Sequence, residues 1–140
     1  MTSQQFEDML IKHEGFENKM YTCPAGHLTI GVGHNLEANP ISDEAVLQIM
    51  RDDIDIHAEE LENAFPVVKT LDQTRYYVLL DMAFNMGIPA LKGFKKMWQA
   101  IELGYWHTAA KEQLDSKWAV QVGKRATELS RMMLTGEYLS

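Results

Sequence analysis

The sequence predicts an α+β fold dominated by helix, and three observations predict it. Apolar residues recur at helical spacing along most of the chain. Between Tyr21 and Leu36 that spacing gives way to Pro24, to glycines at 26, 31 and 33, and to the β-branched Thr29, Ile30 and Val32, the composition of two or three short strands with tight turns. At 140 residues and 46% apolar, the chain supports one hydrophobic core and is too short for two ordinary domains. It shows no internal repeat, low-complexity tract or flexible linker, so one domain over 1–140 is expected.

The elements follow in order. Residues 3–13 place Phe6, Met9, Leu10 and His13 on one helical face, behind Thr2 or Ser3 as N-cap. The β region covers about 15–41 and is closed by Asn39-Pro40. Ser42, followed by Asp43 and Glu44, starts a long helix over about 42–64. Val46, Ile49, Met50, Ile54 and Leu61 recur along it at helical spacing and predict a half-buried bridge, ended by Pro66. Thr70 and Gln73 have capping-box spacing ahead of Tyr76–Phe84, which is apolar nearly all round and so predicts the central core helix. Gly87 and Pro89 stop it. Three or four short helices follow, around 95–103, 106–114 and 124–134, in a helical part running over about 66–140 and joined by the N-terminal helix.

Charge narrows the function. The net charge is −7, with residues 42–62 strongly acidic and residues 89–134 mainly basic. An acidic total argues against general nucleic-acid binding, while the basic half suits an anionic polymer; both runs also read as solvated helix faces. No apolar run approaches the length of about 18 residues that spans a bilayer, and no basic leader precedes one, so a cytosolic start and no stable membrane insertion are expected. A single cysteine excludes an internal disulfide and fits a reducing compartment. His13, His27, His34 and His57 match no common zinc spacing, and no metal is expected. Trp98, Trp106, Trp118 and the nine methionines read as core.

The chemistry-bearing residues lie at the first helix end and in the β ribbon. Glu14 ends the helix beside Gly15, where a carboxyl kept protonated by apolar surroundings would serve as general acid for glycoside cleavage. The ribbon would return the Cys23 thiol and the Thr29 hydroxyl toward it. Each residue alone has a bland reading: a helix-end glutamate is usually solvated, and a free cysteine is usually a small buried filler.

The order Glu14, eight residues, Cys23, five residues, Thr29, then Ile30-Gly31-Val32-Gly33-His34 resembles the active-site segment of the phage-type lysozymes, glycoside hydrolase family twenty-four. Phe84-Asn85-Met86-Gly87, Gly93-Phe94, and Trp118 followed seven residues later by Arg125 extend the resemblance over nearly the whole chain. The main shortening lies between His34 and Ser42. The resemblance implies a lysozyme-like fold, with a small β-hairpin lobe joined by a long helix to a mainly helical C-terminal lobe. It also implies Glu14 as proton donor, Cys23 where many members have aspartate, and Thr29 helping to hold the attacking water. Gly33, Asn35, Leu36, Asn85 and Phe94 would line the sugar groove. Arg125 would lie close to Glu14, and His34 would be structural, tied to a carboxylate of the long helix such as Asp53.

A thiol with an ordinary pKa of about 8.5 is mostly neutral at pH 7 and would be a poor base unless its pKa is lowered. Two routes stay open. Cys23 and Thr29 orient a water, giving inversion, or the sulfur attacks the anomeric carbon, giving a thioglycosyl intermediate and retention. The first is favoured, because thioglycosyl intermediates hydrolyse slowly and no second base is evident.

The resemblance therefore implies a muramidase; an acid, a positioned water and a strained sugar need no cofactor, and a monomer is the default expectation for a groove that must engage an insoluble polymer. The enzyme would act on bacterial peptidoglycan from the host cytoplasm, reaching the periplasmic wall after the membrane is permeabilised. A catalytically inactive peptidoglycan-binding module and a thiol-dependent amidase using Cys23 are the alternatives.

Overall fold

A computed structural model describes residues 3–138. The elements are α1 (Gln4–Glu14), β1 (Glu17–Thr22), β2 (Leu28–Gly31), β3 (His34–Asn35), α2 (Asp43–Ala64), a 3-10 turn (Pro66–Thr70), α3 (Gln73–Met86), α4 (Ile88–Leu91), α5 (Lys95–Leu103), α6 (Trp106–Leu114), α7 (Lys117–Val122) and α8 (Lys124–Thr135). This is the α+β, lysozyme-like order expected, a small antiparallel sheet ahead of a long helix and a helical C-terminal part. Two compact units divide between Ile49 and Met50, with α1 in the first.

In the first unit Ser3 is the N-cap of α1, its Oγ accepting the Phe6 amide at 3.2 Å, whereas Thr2 lies outside the described residues. Gly15, at φ 86°, closes the helix by donating its amide to the Ile11 carbonyl at 2.8 Å. The stripe of Phe6, Met9 and Leu10 stays exposed and α1 buries none of its residues. The sheet has the order β1-β2-β3, with Tyr21 opposite Thr29, Thr22 opposite Leu28, Thr29 opposite Asn35, and Ile30 opposite His34. β1 starts at Glu17, ahead of the expected Tyr21. The polar Glu17-Asn18-Lys19 carries no strand pattern and is recruited by pairing with β2, through an irregular register between Glu17 and Tyr21.

The second unit holds the core. α3 turns Val78, Leu79, Met82 and Ala83 into it but leaves Tyr77 and Phe84 exposed, so only one face of this helix is buried. Leu61 of α2, Leu91, Met97, Trp98, Trp118 and Met133 complete much of the cluster. Trp98 stacks on Phe65 at 3.9 Å and donates its indole N–H to the Leu91 carbonyl at 3.0 Å, which satisfies its one polar group. α5, α6 and α8 fall where their periodicity placed them.

The cap of α3 differs from the expected box. Asp72 is the N-cap, accepting the Arg75 amide at 3.1 Å, because Thr70 is consumed by the preceding 3-10 turn and bonds to the Val67 carbonyl. The short α4 and α7 had no periodic signature; Ser116 caps α7 through the Ala119 amide at 3.1 Å. Among the described residues no helix is long and apolar enough to cross a membrane.

Candidate active site

Glu14 is the last residue of α1, and the left-handed Gly15 turns the chain at once into β1. Its carboxyl lies against the turn between β2 and β3: a Cβ built on Gly33 would sit 2.6 Å from Glu14 Oε2. Gly33 also has φ +70°, so glycine is required there twice over, by backbone conformation and by the approaching carboxylate. Glu14 is exposed, and its carboxyl lies against the backbone of the turn at Gly33.

Cys23 and Thr29 meet on the neighbouring hairpin. Cys23 opens a turn over Pro24, Ala25 and Gly26, with the Gly26 amide donating to the Cys23 carbonyl at 2.8 Å and the Cys23 amide to the His27 carbonyl at 2.9 Å. Pro24 presets the first turn angle and Gly26, at φ +88°, supplies the left-handed residue of a three-residue hairpin loop. Register puts Tyr21, Cys23, Thr29 and Asn35 on one sheet face, since Tyr21 and Asn35 oppose Thr29 and Cys23 lies two residues after Tyr21. The sulfur is partly exposed. Its pKa is held below that of a free thiol, chiefly by the His27 backbone amide, against a smaller opposing effect of burial, and further by Ala25, Thr29 and Gly26. Thr29 is only 2% exposed, and its hydroxyl donates to the His27 carbonyl at 2.9 Å.

Asn35 and Leu36 follow on β3 and just after it. The Asn35 side-chain oxygen accepts the amides of Glu37 and Ala38 at 3.0 and 3.2 Å, and the Leu36 amide donates to the Leu28 carbonyl at 2.8 Å. His34 Nε2 is 3.1 Å from the Asn39 carbonyl, a bond the short loop after β3 makes available five residues on.

The remaining expected residues belong to the second unit. Asn85 accepts the Trp118 indole N–H at 2.8 Å, and Phe94 meets the Trp118 ring edge-on at 6.2 Å, so one tryptophan gathers both. Phe94 and Trp118 line a cavity of about 650 Å³ with Lys95, Lys96, Lys117 and Asp115. Within the second unit the Arg125 guanidinium holds Asp81, through Nε and Nη2, both at 2.8 Å. α3 and α8 pack together, which aligns this pair.

The sequence reading missed Tyr21 as a neighbour of Thr29, Trp118 as the organiser of Asn85 and Phe94, and Asp81 as the partner of Arg125. Alternation from Cys23 could have shown Tyr21; nothing local in the sequence pairs residues 81 and 125.

The family model for phage lysozyme matches residues 11–132, a span that includes Glu14, Cys23, Thr29, Gly33, Asn85, Phe94 and Arg125. The chain belongs to the phage lysozyme family. Among relatives, it is 29% identical over 93% of its length to probable T4-type lysozyme 2 of Dictyostelium discoideum, covering 94% of that protein. Probable T4-type lysozyme 1 of the same organism is 25% identical, again over 93% of this chain and 94% of the relative. The pre-baseplate central spike protein Gp5 of Enterobacteria phage T4 is 29% identical over 92% of the chain, which spans only 27% of that relative. Membership of the phage lysozyme family supports a muramidase-type activity.

Proposed function

We propose that this chain hydrolyses the β-1,4 bonds between N-acetylmuramic acid and N-acetylglucosamine in bacterial peptidoglycan, with Glu14 as general acid and Cys23 with Thr29 governing the attacking water. The observation that supports the reading is that Glu14 rests on the β2–β3 turn at Gly33, in the same small unit as Cys23 and Thr29 and inside the segment that the phage lysozyme family matches.

The chemistry needs few parts. The bond from the anomeric carbon to the bridging oxygen breaks as the Glu14 proton passes to that oxygen, and a water oxygen bonds to the same carbon from the opposite side. The proton released by the water passes to the sulfur or to solvent, and Glu14 is reprotonated before the next cycle. A thiol held below its ordinary pKa accepts that role better than a free cysteine would. Inversion of configuration follows, because the sulfur holds water rather than attacking carbon. An acid, a water and a distorted sugar suffice, so no cofactor enters the scheme.

The chain would act as a monomer. It would accumulate in the cytoplasm of a host bacterium and reach the wall once the membrane is permeabilised, lysing the cell. Gly33, Asn35, Leu36, Asn85 and Phe94 are proposed to contact sugar.

Incubation with purified peptidoglycan tests the reading. New reducing ends are expected from the wild-type chain and none from Glu14→Gln. New amino groups would instead establish an amidase, and neither product would leave a binding module.

A further inference from the structure

Glu37 follows Leu36, just beyond the end of β3, and its carboxylate reaches back to the start of β2. Oε2 accepts the Leu28 amide, and Oε1 lies 3.9 Å from His27 Nδ1. Asn35 holds this residue in place, since its side-chain oxygen accepts the Glu37 amide at 3.0 Å and the Ala38 amide at 3.2 Å. The Leu36 amide donates to the Leu28 carbonyl at 2.8 Å, so both backbone polar groups of Leu28 are taken on the β3 side. The Leu28 N–H and the His27 carbonyl belong to one planar peptide group and point to opposite sides of the strand. On the other side that carbonyl accepts the Cys23 amide and the Thr29 hydroxyl, each at 2.9 Å.

From this geometry we infer that Glu37 is a positioning residue for the proposed hydrolysis: its carboxylate fixes the His27–Leu28 peptide group, and that group in turn fixes Cys23 and Thr29. A peptide group does not rotate about its own C–N bond, so holding its N–H sets the direction of its carbonyl. A carboxylate is also the stronger kind of acceptor for a backbone N–H. Hydrogen bonds in a chain polarise one another, by roughly 10–30% per bond, so the bond at the N–H end strengthens the two at the carbonyl end. Without the Glu37 side chain the Leu28 amide turns to solvent and the peptide group is free to tilt, taking the supports of Cys23 and Thr29 with it. Glu37 touches neither of those side chains, and its role runs wholly through backbone, which is why no residue pattern singles it out.

The consequence for catalysis rests on the lysozyme reading, whereas the coupling itself is read without substrate, by amide hydrogen exchange in the isotope-labelled protein. In Glu37→Ala the Cys23 amide exchanges at least about three-fold faster, while the Gly15 amide, bonded to the Ile11 carbonyl in α1, keeps its rate. Glu37→Gln retains an acceptor for the Leu28 amide and holds the Cys23 rate within about two-fold of wild type. Glu37→Ser, too short to reach Leu28, serves in place of Glu37→Ala if the latter does not fold. On peptidoglycan, the maximal rate of reducing-end release falls at least about five-fold in Glu37→Ala with the half-saturating concentration little changed, and Glu37→Gln retains most of the wild-type rate. Unaltered exchange at Cys23 in Glu37→Ala overturns the inference. A glutamine variant that behaves like alanine also overturns it, by placing the effect on the charge of Glu37 instead of its bond to Leu28. Absence of reducing ends from the wild-type chain refutes the proposed activity, and the exchange rates still decide the link between Glu37 and Cys23.

Discussion

The Glu14 carboxylate occupies the space that a side chain at position 33 would need, with Oε2 2.6 Å from where a Cβ on Gly33 would be. The β2–β3 turn therefore acts as a seat for the carboxyl, and its glycine belongs to the site as much as to the turn. Replacing Gly33 by alanine forces a left-handed alanine and displaces the carboxylate together. We expect Gly33→Ala to lose about 1–2 kcal/mol of stability in denaturant titrations and to lower the release of reducing ends well beyond what that loss explains at a temperature where the variant remains folded.

Cys23 stands at the end of a hairpin whose backbone amides favour an anion. Cys23→Asp places a permanent carboxylate against the same donors and should keep much of the activity. Cys23→Ser substitutes a hydroxyl that stays neutral and should lose most of it. A fully active serine variant would show that the charge on this side chain is irrelevant.

Arg75 ties the end of α8 to α3. Its Nε donates to the Met133 carbonyl at 2.7 Å, Nη2 to the Leu134 carbonyl at 3.1 Å, and the guanidinium lies 4.2 Å above the Trp106 ring. Arg75→Ala leaves helix-end carbonyls without a partner and should cost about 3 kcal/mol in chemical denaturation. Arg75→Lys should recover little, since one ammonium cannot reproduce the planar fork.

Gln113 is fully buried, with its Nε2 3.3 Å from Met82 Sδ and its Oε1 without a hydrogen-bond partner among the described residues. Gln113→Leu keeps similar volume and removes the unpaired carbonyl. The variant should be more stable by about 1 kcal/mol, read as a higher unfolding midpoint.

Tyr76 donates its hydroxyl to Glu62 at 2.7 Å, and burial first, then the Glu62 hydrogen bond and charge, push its pKa up from 10.0 to about 12. A folded-state pKa raised above the unfolded value means that the associated stability is fully present below pH 10 and is lost as pH rises toward 12. The stability difference between wild type and Tyr76→Phe, measured by urea unfolding, should therefore be constant up to about pH 9 and shrink between pH 10 and 12. A difference that grows over that window would reverse the assignment.

Much of the helical part was legible because its signals are local. The spans 95–103 and 106–114 carry apolar residues three and four apart and coincide with α5 and α6, and Ser42 caps α2 as its hydroxyl oxygen accepts the Ala45 amide at 3.1 Å. The hairpin was legible from Pro24 and Gly26, which fit its turn by backbone angle alone. α7 was not, since six residues give too little periodicity to register. The cap at Asp72 was misplaced to Thr70 because both residues suit an N-cap, and only the 3-10 turn chooses between them.

What the chain of residues determined unaided was the α+β class, the positions of the longer helices, the tight hairpin, and the lysozyme resemblance carried by Glu14, Cys23 and Thr29. Tertiary structure alone decided that Glu14 rests on Gly33, that Thr29 is buried beside a partly exposed Cys23, that Arg125 holds Asp81 across 44 residues, and that Arg75 reaches Met133 across 58. The physical reason is range. Backbone angles and periodicity are set by neighbours within a turn or two, whereas the partner of a side chain depends on which distant segment packing brings to it.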